Sequence, residues 1–486
     1  MKLLKYLPLA FLFLFTSCDL NMQPISEIGE GNFYKNSQEI NAAVVACYNG
    51  LQAPMEYEWM VSELRSDNSR LYNTATTSTD NTLLFDFDQA KVSATSQRVY
   101  DYWKLVYHNI ARCNTVLTPK NINIVDDARL KNQFEGEARF IRGYHYFNLV
   151  RIFGPVFIVS ERISADQARQ MDRNTVEEVY QFILDDLKAA VEKLPASYEP
   201  AEKGRITSWA AKTLLAKVYM TLGKIDTETR DLLFDIYQNS GHKLLNSYAS
   251  IYDINNELND EIIFTIRYKS GGLGLGSPFG NRFAPQQSGS SVINGDGNGY
   301  NYPSSNLVTA YTSADTRKDV TLAVNYVNDK GQTIDRRYVK KFLSPVAVKD
   351  DGDKDWPVLR FADVVLLYAE VMNELEGVSA ALPYLNQTRV RAGIPAVTEV
   401  SLPNKHAMRM AIERERRLEF AYENQRWFDL IRTGRVLEVI NTHYMNEDYY
   451  AELTGVGPLK ENNILLPIPQ KEIDINPAVI TQNPGY

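Results

Sequence analysis

Between Asn404 and Ile440 the chain reads NKHAMRMAIERERRLEFAYENQRWFDLIRTGRVLEVI, its densest mixture of charged and aromatic residues. Glu413, Glu415, Glu419 and Glu423 alternate with Arg414, Arg416, Arg417 and Arg426. Among them sit Leu418, Phe420, Tyr422, Trp427, Phe428, Leu430 and Ile431. Carboxylates and guanidiniums this close can do acid–base work or hold an anion. They can also simply brace a helix: Glu413 meets Arg416 and Arg417 one turn on, and Arg426 meets Asp429, which meets Arg432. The apolar positions 418, 422, 427, 430 and 431 fall near one stripe, so the spacing predicts a helix with one buried face and paired charges along its flanks. Bracing is the commoner use of such pairs, and the stretch is read as an anchor of the fold.

Other candidate chemistry lies in the loops. The glycine run Gly271–Gly276 follows a strand-like segment, but it lacks G-x-G-x-x-G spacing and Pro278 stands where a helix should begin, so it is not a dinucleotide loop. His108, His145, His242, His406 and His443 are scattered without an H-x-x-x-H pair, and no zinc site is expected. Asn294-x-Asp296-x-Asn298-Gly299 opens like a calcium loop, yet Ser305 holds the twelfth position that needs a bidentate Glu. Asp351-x-Asp353-x-Asp355 has Trp356 where glycine is required, so both acidic loops are read as solvated and no metal or cofactor is expected. A pair of hydrolytic carboxylates leaves no motif, so a glycoside hydrolase stays open as an alternative. What the loops offer positively is aromatic residues among hydrogen-bonding ones: Trp59, Tyr72, Tyr300, Tyr302 and Trp356. Sugar rings stack an apolar C–H face on such rings while Asn, Asp and Arg bond the hydroxyls. Core packing is the competing use of each aromatic.

A chain of 486 residues buries a large core. Its net charge of −8 and lack of a Lys/Arg run exclude a nucleic-acid binder, which needs a basic surface. Lys2 and Lys5 precede the apolar run Leu7–Phe15 and then Thr16–Ser17–Cys18, which reads as a secretory signal over residues 1–17. The run is too short for a membrane span of about 20 residues. Cys18 after small residues resembles a bacterial lipobox, with Phe15 where Leu is usual. Acylation there tethers a protein, each buried methylene adding about 0.8 kcal/mol of membrane affinity. Cys47 and Cys113 lie in helical runs as small core residues, and a disulfide between them stays open.

Helical periodicity positions the rest. It predicts helices over Ser37–Gln52 with Ser37 as cap, Arg98–Leu117, Asp127–Ile152 ending at Gly154–Pro155, Thr175–Leu194 with a Thr175/Glu178 capping box, and Thr207–Leu222 stopped by Gly223. Ala53–Ser96 reads as a loop-rich insertion, and Thr312–Pro357 as irregular. Glu261–Tyr268 (EIIFTIRY) reads as a short strand. Trp209–Gly223 resembles a tetratricopeptide helix, and Asp363–Glu376 with Ala380–Arg391 another such hairpin, at irregular spacing. The prolines of Asn463–Tyr486 forbid a helix and predict an extended tail laid over the body.

Taken together, Cys18, EARFIRGYHYFNLVRIFGP (137–155), LLYAE (366–370) with LNQTRVRAG (385–393), ERERRLEFAYENQRWFDLIRTGR (413–435) and the tail LPIPQKEIDINPAVITQNPGY resemble the SusD/RagB family of Bacteroidetes outer-membrane lipoproteins. The likeness spans residues 18–486. It implies a mainly α fold of irregular tetratricopeptide-like repeats with a loop-rich region and a few short strands. An N-terminal helical region, 18–225, and a C-terminal region carrying the ligand loops, 226–486, are expected to pack as one body. It also implies a lipid-anchored, surface-exposed binding protein without catalysis, partnered by a SusC-like TonB-dependent barrel, that captures oligosaccharides or, in some members, peptides. Ligand contacts vary within the family, so no binding residue carries over by position.

Overall fold

A computed structural model describes residues 33–72, 79–446 and 457–486. The signal segment and Cys18 lie outside those residues. Helices carry the architecture: α1 (Ser37–Asn49), α2 (Gln52–Val61), α3 (Gln97–Leu117), α4 (Ala128–Phe153), α5 (Val176–Lys193), α6 (Ser208–Thr221), α7 (Thr227–Asn239), α8 (Phe361–Leu375), α9 (Val378–Arg391), α10 (Lys405–Glu419), α11 (Arg426–Arg432) and α12 (Val436–Asn446). Successive helices pack as antiparallel neighbours along the α3–α4–α5–α6–α7–α8–α9–α10 series. This is the mainly α, irregular repeat architecture that the sequence implied.

The caps explain the boundaries. The Asp127 side chain accepts from Arg129 and Leu130 N–H to start α4, and Gly154, at φ +72°, ends it. Thr175 and Glu178 form a reciprocal capping box at the start of α5. Asn36, one residue before the expected Ser37, caps α1 through Glu39 N–H. Helix α4 is buried for most of its length and lies close to the end of α5. A Cβ at Gly136 would come 2.7 Å from Leu194 Cγ, so glycine there permits the approach. Buried Arg142 then bridges both helices to Asp186 (2.7 and 2.8 Å).

Strands form three two-stranded antiparallel pairs among the described residues: β1 (Ser69–Arg70) with β3 (Tyr302–Pro303), β2 (Ile262–Ile266) with β6 (Trp356–Arg360), and β4 (Leu322–Val327) with β5 (Thr333–Val339). Two regions expected as loop are therefore regular. The 53–96 segment contains α2 and a helix over Thr79–Asp88, and 312–357 contains the β4–β5 hairpin. The hairpin was hard to read because most side chains of β4 and β5 stay exposed or half-buried, which blurs the apolar alternation. The tail lies over the body as expected: Leu466 N–H donates to Ile152 O (2.8 Å), and Asn483 Nδ2 to Phe153 O (2.8 Å).

The charged C-terminal stretch differs most from expectation. It is not one helix, because residues 420–425 break it, with Tyr422 at φ +69° and Asn424 at φ +60°. Glu63 holds this left-handed turn by accepting Tyr422 N–H (2.9 Å) and Asn424 N–H (3.2 Å). The charges lie inside, not along flanks. Arg360, itself buried, bonds Glu261, Glu419 and Glu423, while Arg317 bonds Asp315, Glu415 and Glu419. Asp429 meets Arg432 as the spacing predicted, but Glu413 pairs with Arg426 and Arg435 rather than with Arg416 or Arg417.

Candidate functional site

Segment 66–72 leaves the helical half of the chain and enters the loop-rich half. Two arginines of the charged stretch fix its path. Arg426 forks onto buried Asp67 (2.7 and 3.1 Å), and Arg417 donates to Asn68 Oδ1 (2.8 Å) and Asp67 O (2.9 Å). Burial alone would raise the Asp67 carboxyl, but Arg417 and Arg426 outweigh it and hold the group well below the usual carboxylate range. Ser304 closes the clamp: its N–H donates to Asn68 O (2.9 Å) and its hydroxyl to Asp67 O (2.7 Å). Ser69 Oγ reaches Asn301 Oδ1.

This clamp sets the β1–β3 register, in which Arg70 faces Tyr302. Two residues further, Tyr72 meets Tyr302 with ring centres 5.1 Å apart at 39°. The β5 strand adds two cations. The Arg336 guanidinium lies 4.6 Å from the centre of the Tyr72 ring, and that of Arg337 lies 4.7 Å from Tyr302. Arg337 also donates to Tyr302 Oη (3.2 Å) and Ser305 Oγ (2.8 Å). Beside the cluster runs an open groove of about 830 Å³ between the 287–291 loop and the β4–β5 hairpin, lined by Ser288, Ser291, Asn328, Lys330 and Arg336 among others. Its walls are hydroxyls, amides and charges, suited to a polar ligand.

The five aromatics expected in loops separate into two groups. Trp59 and Trp356 are corrections: each is 1% exposed. Trp356 stacks on Phe342 (4.3 Å, 8°) and touches Phe279 (4.5 Å), and Trp59 packs edge-on against Phe283. Both fill the core, because a large apolar ring gains most from leaving water. Tyr300 is half-buried and stacks on Trp59 (5.7 Å, 17°). Tyr302 is a further correction, buried at 7% exposed, and half-buried Tyr72 lies against it. Arg70, Arg336 and Arg337 were missed. The alternation in TIDRRYV was the available signal for a strand carrying two of them.

The acidic loop 351–355 is not solvated as expected. Asp351 accepts Gly271 and Gly272 N–H (both 2.9 Å), Asp353 accepts Ser270 N–H (2.9 Å), and Asp355 accepts Tyr268 N–H (2.8 Å). These carboxylates tie down the glycine-rich loop. Asp296 similarly accepts the N–H groups of Gly289 (3.0 Å) and Gly297 (2.8 Å). Cys47 and Cys113 are buried free thiols.

The irregular helical-repeat body with its few short strands is the fold of SusD-like proteins. Residues 328–486 match the family model described as SusD family, and residues 24–220 match the one described as starch-binding, associating with the outer membrane. The chain belongs to the SusD family. It is similar to the SusD-like protein P25 of Formosa agariphila, 27% identical over 98% of this chain and 99% of the other. Among solved structures it resembles a SusD-like protein from Bacteroides fragilis (TM-score 0.79, 24% identity, 96% of this chain and 100% of that one). It also resembles a laminarin-binding SusD-like protein (TM-score 0.78, 25% identity, 93% and 100%).

Proposed function

We propose that this protein is a non-catalytic, cell-surface lipoprotein of the outer membrane that binds an oligosaccharide or polysaccharide and delivers it to a SusC-like TonB-dependent barrel. Family membership supports the reading, as do the starch-binding description of the N-terminal match and the laminarin-binding relative. Cys18 carries the lipid anchor. The observation that carries the ligand assignment is half-buried Tyr72 beside the polar groove, backed by buried Tyr302 and by Arg336 of the groove wall, with half-buried Tyr300 as a second ring. Rings offer stacking faces, and the surrounding serine, asparagine and arginine groups offer partners for hydroxyls, the combination that sugars require.

The test is titration calorimetry of soluble protein beginning at residue 19 against a panel of oligosaccharides and peptides, with Tyr72→Ala alongside. Binding of a glycan that Tyr72→Ala weakens about tenfold or more supports the reading. Binding of peptides only, or release of new reducing ends from a glycan, contradicts it.

A further inference from the structure

Many arginines of the fold are ion-paired, while some, such as Arg65 and Arg173, meet only neutral groups among the described residues. Arg317, Arg360, Arg416, Arg426 and Arg432 each bond at least one carboxylate. Arg336 and Arg337 do not: among the described residues neither has a carboxylate within 4.0 Å. They are adjacent and half-buried, on a chain that carries 60 acids against 52 Lys and Arg. Among the described residues no ion pair offsets either charge.

Both are held in place without neutralisation. Arg336 donates one Nη1–H to Gln286 O (2.6 Å) and stacks by Tyr72, and its Nε is buried with no partner. Arg337 uses Nε and Nη1 on Tyr302 Oη and Ser305 Oγ, which leaves Nη2 unengaged. A guanidinium fixed on an aromatic ring loses little freedom on binding, and its planar fork matches two oxygens of one anion. Lys330 adds a second cation to the groove wall, and Asp329 is the acid beside it on the turn. The nearby Asp296 carboxylate is occupied by main-chain N–H groups.

We propose that the groove takes an anionic glycan, one whose sugar units carry carboxylate or sulfate groups, and that Arg336 and Lys330 on its wall read those groups. This rests on the glycan-binding reading above and narrows it.

Calorimetry at low salt tests it with polygalacturonate and alginate as carboxylated probes, carrageenan as a sulfated one, laminarin and amylose as neutral ones, and poly-glutamate as a non-sugar polyanion. Binding is expected for a carboxylated or sulfated glycan and not for poly-glutamate. It should weaken as salt rises from about 0.05 to 0.5 M. Arg336→Gln should lower affinity about tenfold with an unchanged melting temperature, and Arg336→Lys should recover part of the loss. If a neutral glycan binds with dependence on Tyr72 but not on Arg336, the anionic inference is overturned and the glycan reading stands. If poly-glutamate alone binds, or none of the probes does, both are overturned.

Discussion

Tyr72 and Tyr302 touch, ring centres 5.1 Å apart, because Arg70 sits in register with Tyr302 across a two-residue antiparallel bridge. So short a bridge is not stable alone. Asp67, one turn of chain earlier, is gripped by Arg417 and Arg426 from the C-terminal charged stretch. The densest charge cluster of the sequence thus fixes, from a distance, the segment that presents Tyr72.

That coupling can be measured. Arg426→Gln strips buried Asp67 of its forked partner, and breaking a buried pair from one side costs about 3–5 kcal/mol. Stability by chemical denaturation should fall by that amount. Ligand affinity should fall as well, although Arg426 lies outside the groove. A variant that loses stability but binds normally contradicts the clamp.

Arg360 should matter to stability more directly. It satisfies Glu261, Glu419 and Glu423 together, and Arg360→Met leaves their charges short of a partner inside the protein. A loss of about 3–5 kcal/mol is expected in urea unfolding. A loss below about 1 kcal/mol would show that the network redistributes its charge.

Glu58 predicts a pH effect of defined sign. Burial raises its carboxyl from 4.5 to about 7, against the opposing Tyr144, Arg151 and Asn148 contacts. The folded state therefore holds this proton more tightly than the unfolded one. Its favourable contribution is full below pH 4.5 and lost as pH rises through 7, a difference of about 3 kcal/mol. Asp67 and Asp429, held low mainly by arginines that outweigh burial, act oppositely and lose their contribution in acid. Glu58→Gln should raise stability more at pH 8 than at pH 5. Equal differences at both values would refute the assignment.

The proposed membrane attachment is through Cys18. Expressed in a host with lipoprotein processing, the full chain should partition with membranes and incorporate labelled palmitate, and Cys18→Ala should do neither. Retention of Cys18→Ala in the membrane fraction would point to another mode of attachment. Among the described residues no helix is long and apolar enough to cross a membrane.

Much of the frame was legible because long amphipathic helices declare themselves locally. The Thr175/Glu178 box and the stop at Gly223 depend on neighbours within four residues, and both were read correctly. The break at Tyr422 was not, since Glu63, distant in sequence, supplies the carboxylate that makes a left-handed tyrosine tolerable there. Burial of the charges escaped for the same reason: Glu413 spacing fits Arg416, yet Arg435 and Arg426 win it in three dimensions. At the site, residue type suggested Tyr72. It could not separate it from buried Tyr302, or from Trp59 and Trp356, whose burial depends on Phe283, Phe279 and Phe342 arriving from elsewhere.

The most direct test of the central claim is a crystal structure of the protein with its bound oligosaccharide. Sugar density should lie in the groove beside Tyr72, within hydrogen-bonding distance of Arg336 or Lys330. Density seated elsewhere, such as in the apolar cleft beneath the C-terminal tail near Tyr107 and Ile480, with the Tyr72 surface empty, would contradict the account.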